Sequence, residues 1–186
     1  EELLQGIRDR SEEKPEAIAL SLGPGSYTGL RIGTSVAKGL AFAWDIPVVG
    51  MNSTEIMAHA FFMTNPDSSN WVCPMIDARR MEVYAAIYDS DLNLHDDLQP
   101  IILDESSYDQ LLKHHRISFI GDGAEKWEGI CTSSHAAFDH RNFLLAQNMA
   151  ALAEKRFQNE SFLDTAYFEP NYLKEFMIVP SRKKLF

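Results

Sequence analysis

Ser21-Leu-Gly-Pro-Gly-Ser-Tyr-Thr-Gly-Leu-Arg-Ile-Gly-Thr-Ser-Val-Ala-Lys-Gly-Leu-Ala-Phe-Ala-Trp-Asp-Ile-Pro-Val-Val-Gly50 is the stretch that decides the fold. An apolar run, Ala17 to Leu20, enters a Gly-Pro-Gly turn. A helix rich in small residues follows, and a second apolar run, Ile46 to Val49, closes the unit. Strand, tight glycine turn, helix and strand make a βαβ element, which predicts a parallel strand pair. Such a turn gathers free backbone N–H groups at the positive end of a helix, where an anion can sit. The run fits neither the phosphate loop, which ends Gly-Lys-Ser/Thr, nor the dinucleotide Gly-x-Gly-x-x-Gly fingerprint.

The rest of the chain alternates strands and helices, an α/β pattern. Thr28 to Trp44 carries Leu30, Val36, Leu40 and Ala43 at helical spacing, diluted by Gly33, Ala37, Gly39 and Ala41. Each interior glycine costs a helix about 1 kcal/mol, so something packs closely there. Two readings stand: the helix packs on its own sheet, or it meets a partner helix. Ser53 to Met63 reads as another helix, and the polar stretch Asn65–Asn70 marks a lobe boundary. Beyond it come strand Trp71–Asp77, a tight Ala78–Arg80 connection and strand Met81–Asp89, where Val83, Ala85 and Ile87 alternate with polar positions. Asp89–Asp97 reads as a solvated acidic loop. A helix is expected over Ser106–His114, a strand over Ile117–Ile120, and a Gly121-Asp122-Gly123 turn before a short helix through Trp127. Arg141 to Phe157 has the spacing of one long amphipathic helix.

Gly23-Pro24-Gly25-Ser26-Tyr27-Thr28-Gly29-Leu30-Arg31-Ile32-Gly33, continuing through Ala37-Lys38-Gly39-Leu40-Ala41, resembles the signature of the TsaB (YeaZ) and TsaD family. Ile76-Asp77-Ala78-Arg79 with Glu82-Val83-Tyr84 also matches it, as do Ile120-Gly121-Asp122-Gly123 with Trp127, and Glu169-Pro170-Asn171-Tyr172-Leu173-Lys174. The four matches run in the family's order along nearly the whole chain. The resemblance implies the two-lobe fold of actin-like ATPases, which is RNase H-like. It implies a role in placing threonylcarbamoyl on the adenosine beside the tRNA anticodon.

The catalytic relatives carry an Asn-His-x-x-x-His pattern after the second strand, two imidazoles on one helical face that can share a metal. Asn52-Ser53-Thr54-Glu55-Ile56-Met57 aligns there without a gap, with Ser53 and Met57 at the histidine positions. A hydroxyl and a thioether are poor substitutes for paired imidazoles. The resemblance therefore implies a non-catalytic scaffold or activator without a metal, working by binding a TsaD-like catalytic subunit. A TsaE-like ATPase belongs to the same complex, tRNA enters only through it, and a weak homodimer is expected when the partner is absent. The alternatives are a glycoprotease-like metalloenzyme and a nucleotide-dependent ATPase or kinase of the same superfamily.

Family members carry about fifty further N-terminal residues, with three strands and an Asp-Thr-Ser turn, which are not in this sequence. It starts at Glu1 inside what reads as a helix end (Leu3, Leu4, Ile7). The expected division is residues 1–65 as the remainder of the first lobe, lacking its leading strands, and 66–186 as the second lobe. No cofactor is required by this chain, and ATP or ADP is expected only at the junction with the partner.

The expected site residues fall in three groups. Gly23, Gly25, Ser26, Thr28, Gly29 and Arg31 form a turn able to contact an anion or nucleotide. Gly33, Val36, Ala37, Gly39 and Leu40 form a partner face. Asp77, Arg79 and Glu82 cluster on one hairpin, where a carboxylate–guanidinium pair fixes the turn or Arg79 points at a phosphate or partner carboxylate. No catalytic residue is assigned. Ser26 lacks a nucleophile-elbow context and a histidine placed to activate it. His114-His115 reads as a helix-end cap, and the five-residue spacing of His135 and His140 fits no helical metal pair.

Composition sets limits. The chain has 186 residues, 45% of them hydrophobic and 24% charged, enough for a globular core. A net charge of −10 argues against gripping nucleic acid alone. The one basic cluster, Arg182-Lys183-Lys184, is either solvated or an RNA contact. There is no apolar run of membrane-spanning length and no secretory signal. Two isolated cysteines, Cys73 and Cys131, suit a reducing cytoplasm.

Overall fold

A computed structural model describes residues 14–173. The expectations for Leu3, Leu4, Ile7 and for Arg182, Lys183 and Lys184 lie outside the described residues.

β1 (Ile18–Gly23), α1 (Tyr27–Trp44) and β2 (Val48–Asn52) form the βαβ unit. The strands are parallel, with Ile18 opposite Val48 and Leu20 opposite Gly50. β2 starts at Val48 rather than Ile46 for a local reason. Asp45 turns left-handed (φ 54°) and the Ile46 N–H donates to the Ala41 carbonyl at 3.1 Å, so residues 45–47 close the helix. Sequence alternation assigns the two faces of the pair. Leu20 lies 3.8 Å from where a side chain on Gly33 of α1 would begin, while Val49 and Met51 pack with Ile56, Met149 and Leu152 on the opposite face.

α2 (Ser53–Thr64) follows β2 directly and is buried on most sides, through Ser53, Thr54, Ile56, Met57, Ala58, Ala60 and Phe61. Asn65 ends it. Its backbone N–H and its side-chain Nδ2 both donate to the Phe61 carbonyl, at 2.9 and 2.8 Å, supplying the partner a helix C-terminus lacks.

The second sheet contains β3 (Trp71–Asp77), β4 (Glu82–Tyr88), β5 (Leu94–Ile102), β6 (Ile117–Ile120) and β7 (Ala136–Asp139), in the order β5-β4-β3-β6-β7. β3, β4 and β5 are an antiparallel meander, and β6 and β7 run parallel to β3. Both faces are buried. On one face Met75, Val83, Ile87 and Phe119 meet Trp127 of α4 (Ala124–Glu128); on the other Val72, Ala86 and Ile120 meet Phe61 of α2 and Phe143. Trp127 is 1% exposed, sits edge-on to Phe119 at 4.5 Å and donates its indole N–H to the Asp104 carbonyl.

Three expected elements are corrected. Asp89 to Asn93 is a turn held by the Asp89 carboxylate, and the rest of the acidic stretch, Asp96 and Asp97 included, lies on β5. The helix expected over 106–114 shrinks to α3 (Asp109–Leu112). The Asp104 carboxylate takes the Ser106 N–H and the Ser106 and Ser107 hydroxyls, winding those residues into a turn instead. The long helix expected over 141–157 is not continuous either. Asn142 Oδ1 accepts from Leu144 N–H and Asn148 Nδ2 donates to the Phe143 carbonyl, so side chains occupy the backbone groups that a helix needs. Leu145 is extended, and a short 3-10 turn (Ala146–Met149) leads into α5 (Ala150–Gln158).

After α5 the chain returns along the first sheet. Leu163 N–H donates to the Val48 carbonyl at 2.9 Å and Asn171 N–H to the Leu22 carbonyl at 2.7 Å.

Candidate functional site

The glycine turn joins β1 to α1. Gly23 has φ +104°, a conformation L side chains rarely adopt, and an added Cβ would lie 2.9 Å from the Leu30 side chain. Ser26 caps α1: its hydroxyl accepts from Gly29 N–H at 3.3 Å and its carbonyl from Leu30 N–H at 2.8 Å. Beside the turn lies a cavity of about 340 Å³, walled by Leu20, Leu30, Leu144, Leu145 and Met149. Gly25, Ser26, Gly29 and Gly33 line it, together with Ser21 and Ser53. Gly23, Thr28 and Arg31 do not. Arg31 instead lies over the Tyr27 ring, 4.9 Å from its centroid. The cavity is therefore an apolar pocket with a backbone-rich rim and no cation among the described residues of its wall.

The two positions that the family resemblance places at metal-ligand sites, Ser53 and Met57, are given over to packing. Ser53 is 1% exposed and its hydroxyl shares a 2.8 Å hydrogen bond with that of Ser21. Met57 is buried, and its methyl end packs so closely on Gly121 that an added Cβ there would clash with it. Met57 also borders a second cavity of about 330 Å³ with Gly121, Asp122, His140, Arg141 and Asn142. Among the described residues no three His, Cys, Asp or Glu side chains converge on a point. His135 Nδ1 is 2.6 Å from the Leu112 carbonyl, and His140 pairs with Glu128 at 2.8 Å. His115 is not a helix cap through its ring, which stacks on Trp71 at 3.6 Å.

The hairpin residues meet a different cation from the one expected. Asp77 Oδ1 accepts from Lys126 Nζ at 2.6 Å and from the Arg79 backbone N–H at 2.5 Å. The carboxylate thus takes the main chain of Arg79 while Lys126 supplies the ion pair. Lys126 also donates to the Glu82 carbonyl at 3.2 Å, and Asp122 accepts the Asp77 N–H at 3.0 Å. Partial burial opposes ionisation of Asp77, but Lys126 and the Arg79 N–H outweigh it and hold the carboxyl below the usual range. These contacts bind β3, β4 and α4 together around the turn. Lys126 comes from a distant segment, and no local spacing pairs it with Asp77.

By its 3.6-residue period α1 shows an exposed row of Thr28, Ser35 and Phe42 besides the four described next. Thr34, Ala37 and Ala41 are buried on the chain's own sheet. Ala37, at 4% exposure, is therefore corrected from partner face to core. Gly33 and Leu40 are half-buried on the flank toward the cavity. Tyr27, Arg31 and Lys38 form the opposite flank, where Lys38 donates to the Ala166 carbonyl at 3.2 Å and lies over the Phe168 ring. Ile32, Val36, Gly39 and Ala43 form the outward row. Ile32 is 60% and Val36 52% exposed, and Gly39 has nothing within 4 Å of an added Cβ. Val36 and Gly39 of the expected partner face are exposed in this row, and Ile32 and Ala43, which that expectation left out, share it.

Comparison with known proteins places this geometry. The family model described as "TsaD: tRNA N6-adenosine threonylcarbamoyltransferase" matches residues 8–180. The Escherichia coli tRNA threonylcarbamoyladenosine biosynthesis protein TsaB is 32% identical over 167 residues, covering 85% of this chain and 70% of that protein. The chain belongs to the TsaB family. The Haemophilus influenzae TsaB protein is 44% identical over 69 residues, which is 37% of this chain and 28% of that one. A Pseudomonas aeruginosa crystal structure, described as an uncharacterized protein with similarity to peptidase YEAZ, superposes with a TM-score of 0.75 at 22% identity. It covers 93% of this chain and 82% of that one, so the fold is shared with the YeaZ proteins. This agrees with the actin-like, RNase H-like α/β class.

Proposed function

We propose that this chain acts in threonylcarbamoyl modification of tRNA adenosine as a non-catalytic subunit that binds and activates a TsaD-like catalytic partner. Membership of the TsaB family, whose named members are tRNA threonylcarbamoyladenosine biosynthesis proteins, supports the pathway. The observation that carries the scaffold reading is the outward row of α1. Ile32, Val36, Gly39 and Ala43 make an uncharged strip on a well-anchored helix, and Gly39 lets a second backbone approach closely. The packed Ser53 and Met57 support it from the other side, since neither offers a metal ligand of the histidine type.

In this reading residues up to 65 present the partner-binding helices and residues from 66 form the second lobe. Any nucleotide sits at the junction with the partner, where the rim of Gly25, Ser26 and Gly29 is available. A TsaE-like ATPase joins the same complex, and tRNA is gripped by the assembly, because a chain of net charge −10 repels phosphate. Without its partner the chain pairs weakly with itself through the same row. The site of action is the cytoplasm; no described helix is long and apolar enough to cross a membrane.

The test is reconstitution. Threonylcarbamoyl incorporation into tRNA should depend on adding this chain to the catalytic subunit, and the chain alone should hydrolyse neither ATP nor peptide. Incorporation at full rate without the chain, or turnover by the chain alone, would overturn the proposal.

A further inference from the structure

The segment after α5 handles the charges of α1. α1 carries two charged side chains, Arg31 and Lys38, in eighteen residues. Both lie on the same flank, separated from the outward strip by the exposed row of Thr28, Ser35 and Phe42. Lys38 Nζ is 4.6 Å from the centroid of the Phe168 ring and donates to the Ala166 carbonyl. Arg31 rests on Tyr27, and Tyr27 in turn meets the Tyr172 ring at 5.1 Å. The segment is pinned to the sheet beneath by Leu163 N–H on Val48 and Asn171 N–H on Leu22. Leu163 also fills the space over Gly50, where an added Cβ would stand 2.7 Å from its methyl group.

We infer that residues 163–172 are a positioning strap for the partner face. They hold Lys38 directly, and Arg31 through Tyr27, along one flank of α1, so the outward row Ile32–Val36–Gly39–Ala43 meets its partner free of charge. The inference rests on the partner-binding reading of α1 and names Phe168 and Tyr172 as the residues that keep that face apolar. A long lysine freed from its ring and carbonyl can reach past Ser35 to the outward row, and burying an unpaired ammonium against an apolar interface is unfavourable. Neither aromatic ring needs to touch the partner for this.

The experiment measures affinity of the full chain for the TsaD-like subunit by titration calorimetry. Phe168→Ala should weaken binding roughly fivefold, the scale of one exposed cation–π contact. Adding Lys38→Met to Phe168→Ala should restore it, because the strap has no cation left to hold. Tyr172→Phe, which keeps the stacking ring, should bind as the parent does. If Phe168→Ala does not fold, Lys38→Met in the parent chain decides: unchanged affinity supports the strap, and a loss above about twofold overturns it. Unchanged binding by Phe168→Ala, or a loss that Lys38→Met fails to restore, also overturns it. Val36→Arg separates the two layers of the claim. If it abolishes binding while Phe168→Ala does nothing, only the strap fails. If it binds normally, the partner-face reading itself fails.

Discussion

Arg156→Ala tests how the glycine-turn side of the molecule is held together. Arg156 reaches from α5 to two elements at once. Its Nη1 donates to the Gly50 carbonyl at 2.6 Å, and its Nη2 to both oxygens of Glu55 at 2.7 and 2.8 Å. The arginine side chain is 28% exposed and the glutamate 19%, so the pair is shielded from water and salt more than a surface bridge is. Hydrogen bonds to charged groups contribute about 1.5–3 kcal/mol each in such settings, and a deserted half-buried carboxylate adds to the loss. Partial exposure pulls the total down, which leaves about 2–4 kcal/mol for Arg156→Ala. Arg156→Met keeps the aliphatic stem over α5 and should lose about 1 kcal/mol less. A double-mutant cycle with Glu55→Gln should give a coupling of about 1–2 kcal/mol. Urea unfolding followed by circular dichroism measures all of these. A loss below about 0.5 kcal/mol for Arg156→Ala would refute the reasoning, because it would mean that the clamp is no stronger than an exposed pair.

Four shorter tests follow. Gly121→Ala should destabilise the chain by about 2–4 kcal/mol, since the residue has φ +94° and the new Cβ would meet Met57 and the Met75 carbonyl; thermal melting checks it. The Asp89 carboxyl, despite the opposing effect of burial, is held at about 2 by His95, Asn93 and the turn N–H groups. Its stabilising contribution is complete above the unfolded value of about 4 and disappears as pH falls through 2, so Asp89→Asn should flatten the acid limb of stability between those values. Burial pushes the Cys73 thiol well up and leaves Cys131 the more accessible of the two, so a thiol reagent should label one cysteine quickly in the native chain. Ala37→Arg should unfold the chain, while Gly39→Arg should leave its melting curve almost unchanged, because the first faces the core and the second open space.

The βαβ unit was legible because its signals are local. A glycine turn needing positive φ and a helix of small residues stand next to each other between two apolar runs. The second sheet was legible for the same reason over β3, β4 and β6. The broken helix near residue 145 was not, since amphipathic spacing carries no sign that Asn142 and Asn148 will take backbone hydrogen bonds for themselves. Ala37 shows a different limit. Small residues recur around α1 on every side, so composition alone does not say which row faces the sheet. The partner of Asp77 was also out of reach, because Lys126 is 49 residues away and arrives through the packing of α4 on the hairpin.

The measurement that bears most directly on the scaffold account is the affinity of Val36→Arg for the TsaD-like subunit, taken with tRNA threonylcarbamoylation in the same mixture. Val36 is half exposed on the outward row, so the substitution leaves the fold intact while placing an unpaired charge on the proposed interface. The account predicts that binding and modification disappear together and that the melting temperature does not move. A variant that binds and supports modification as the parent chain does would contradict it.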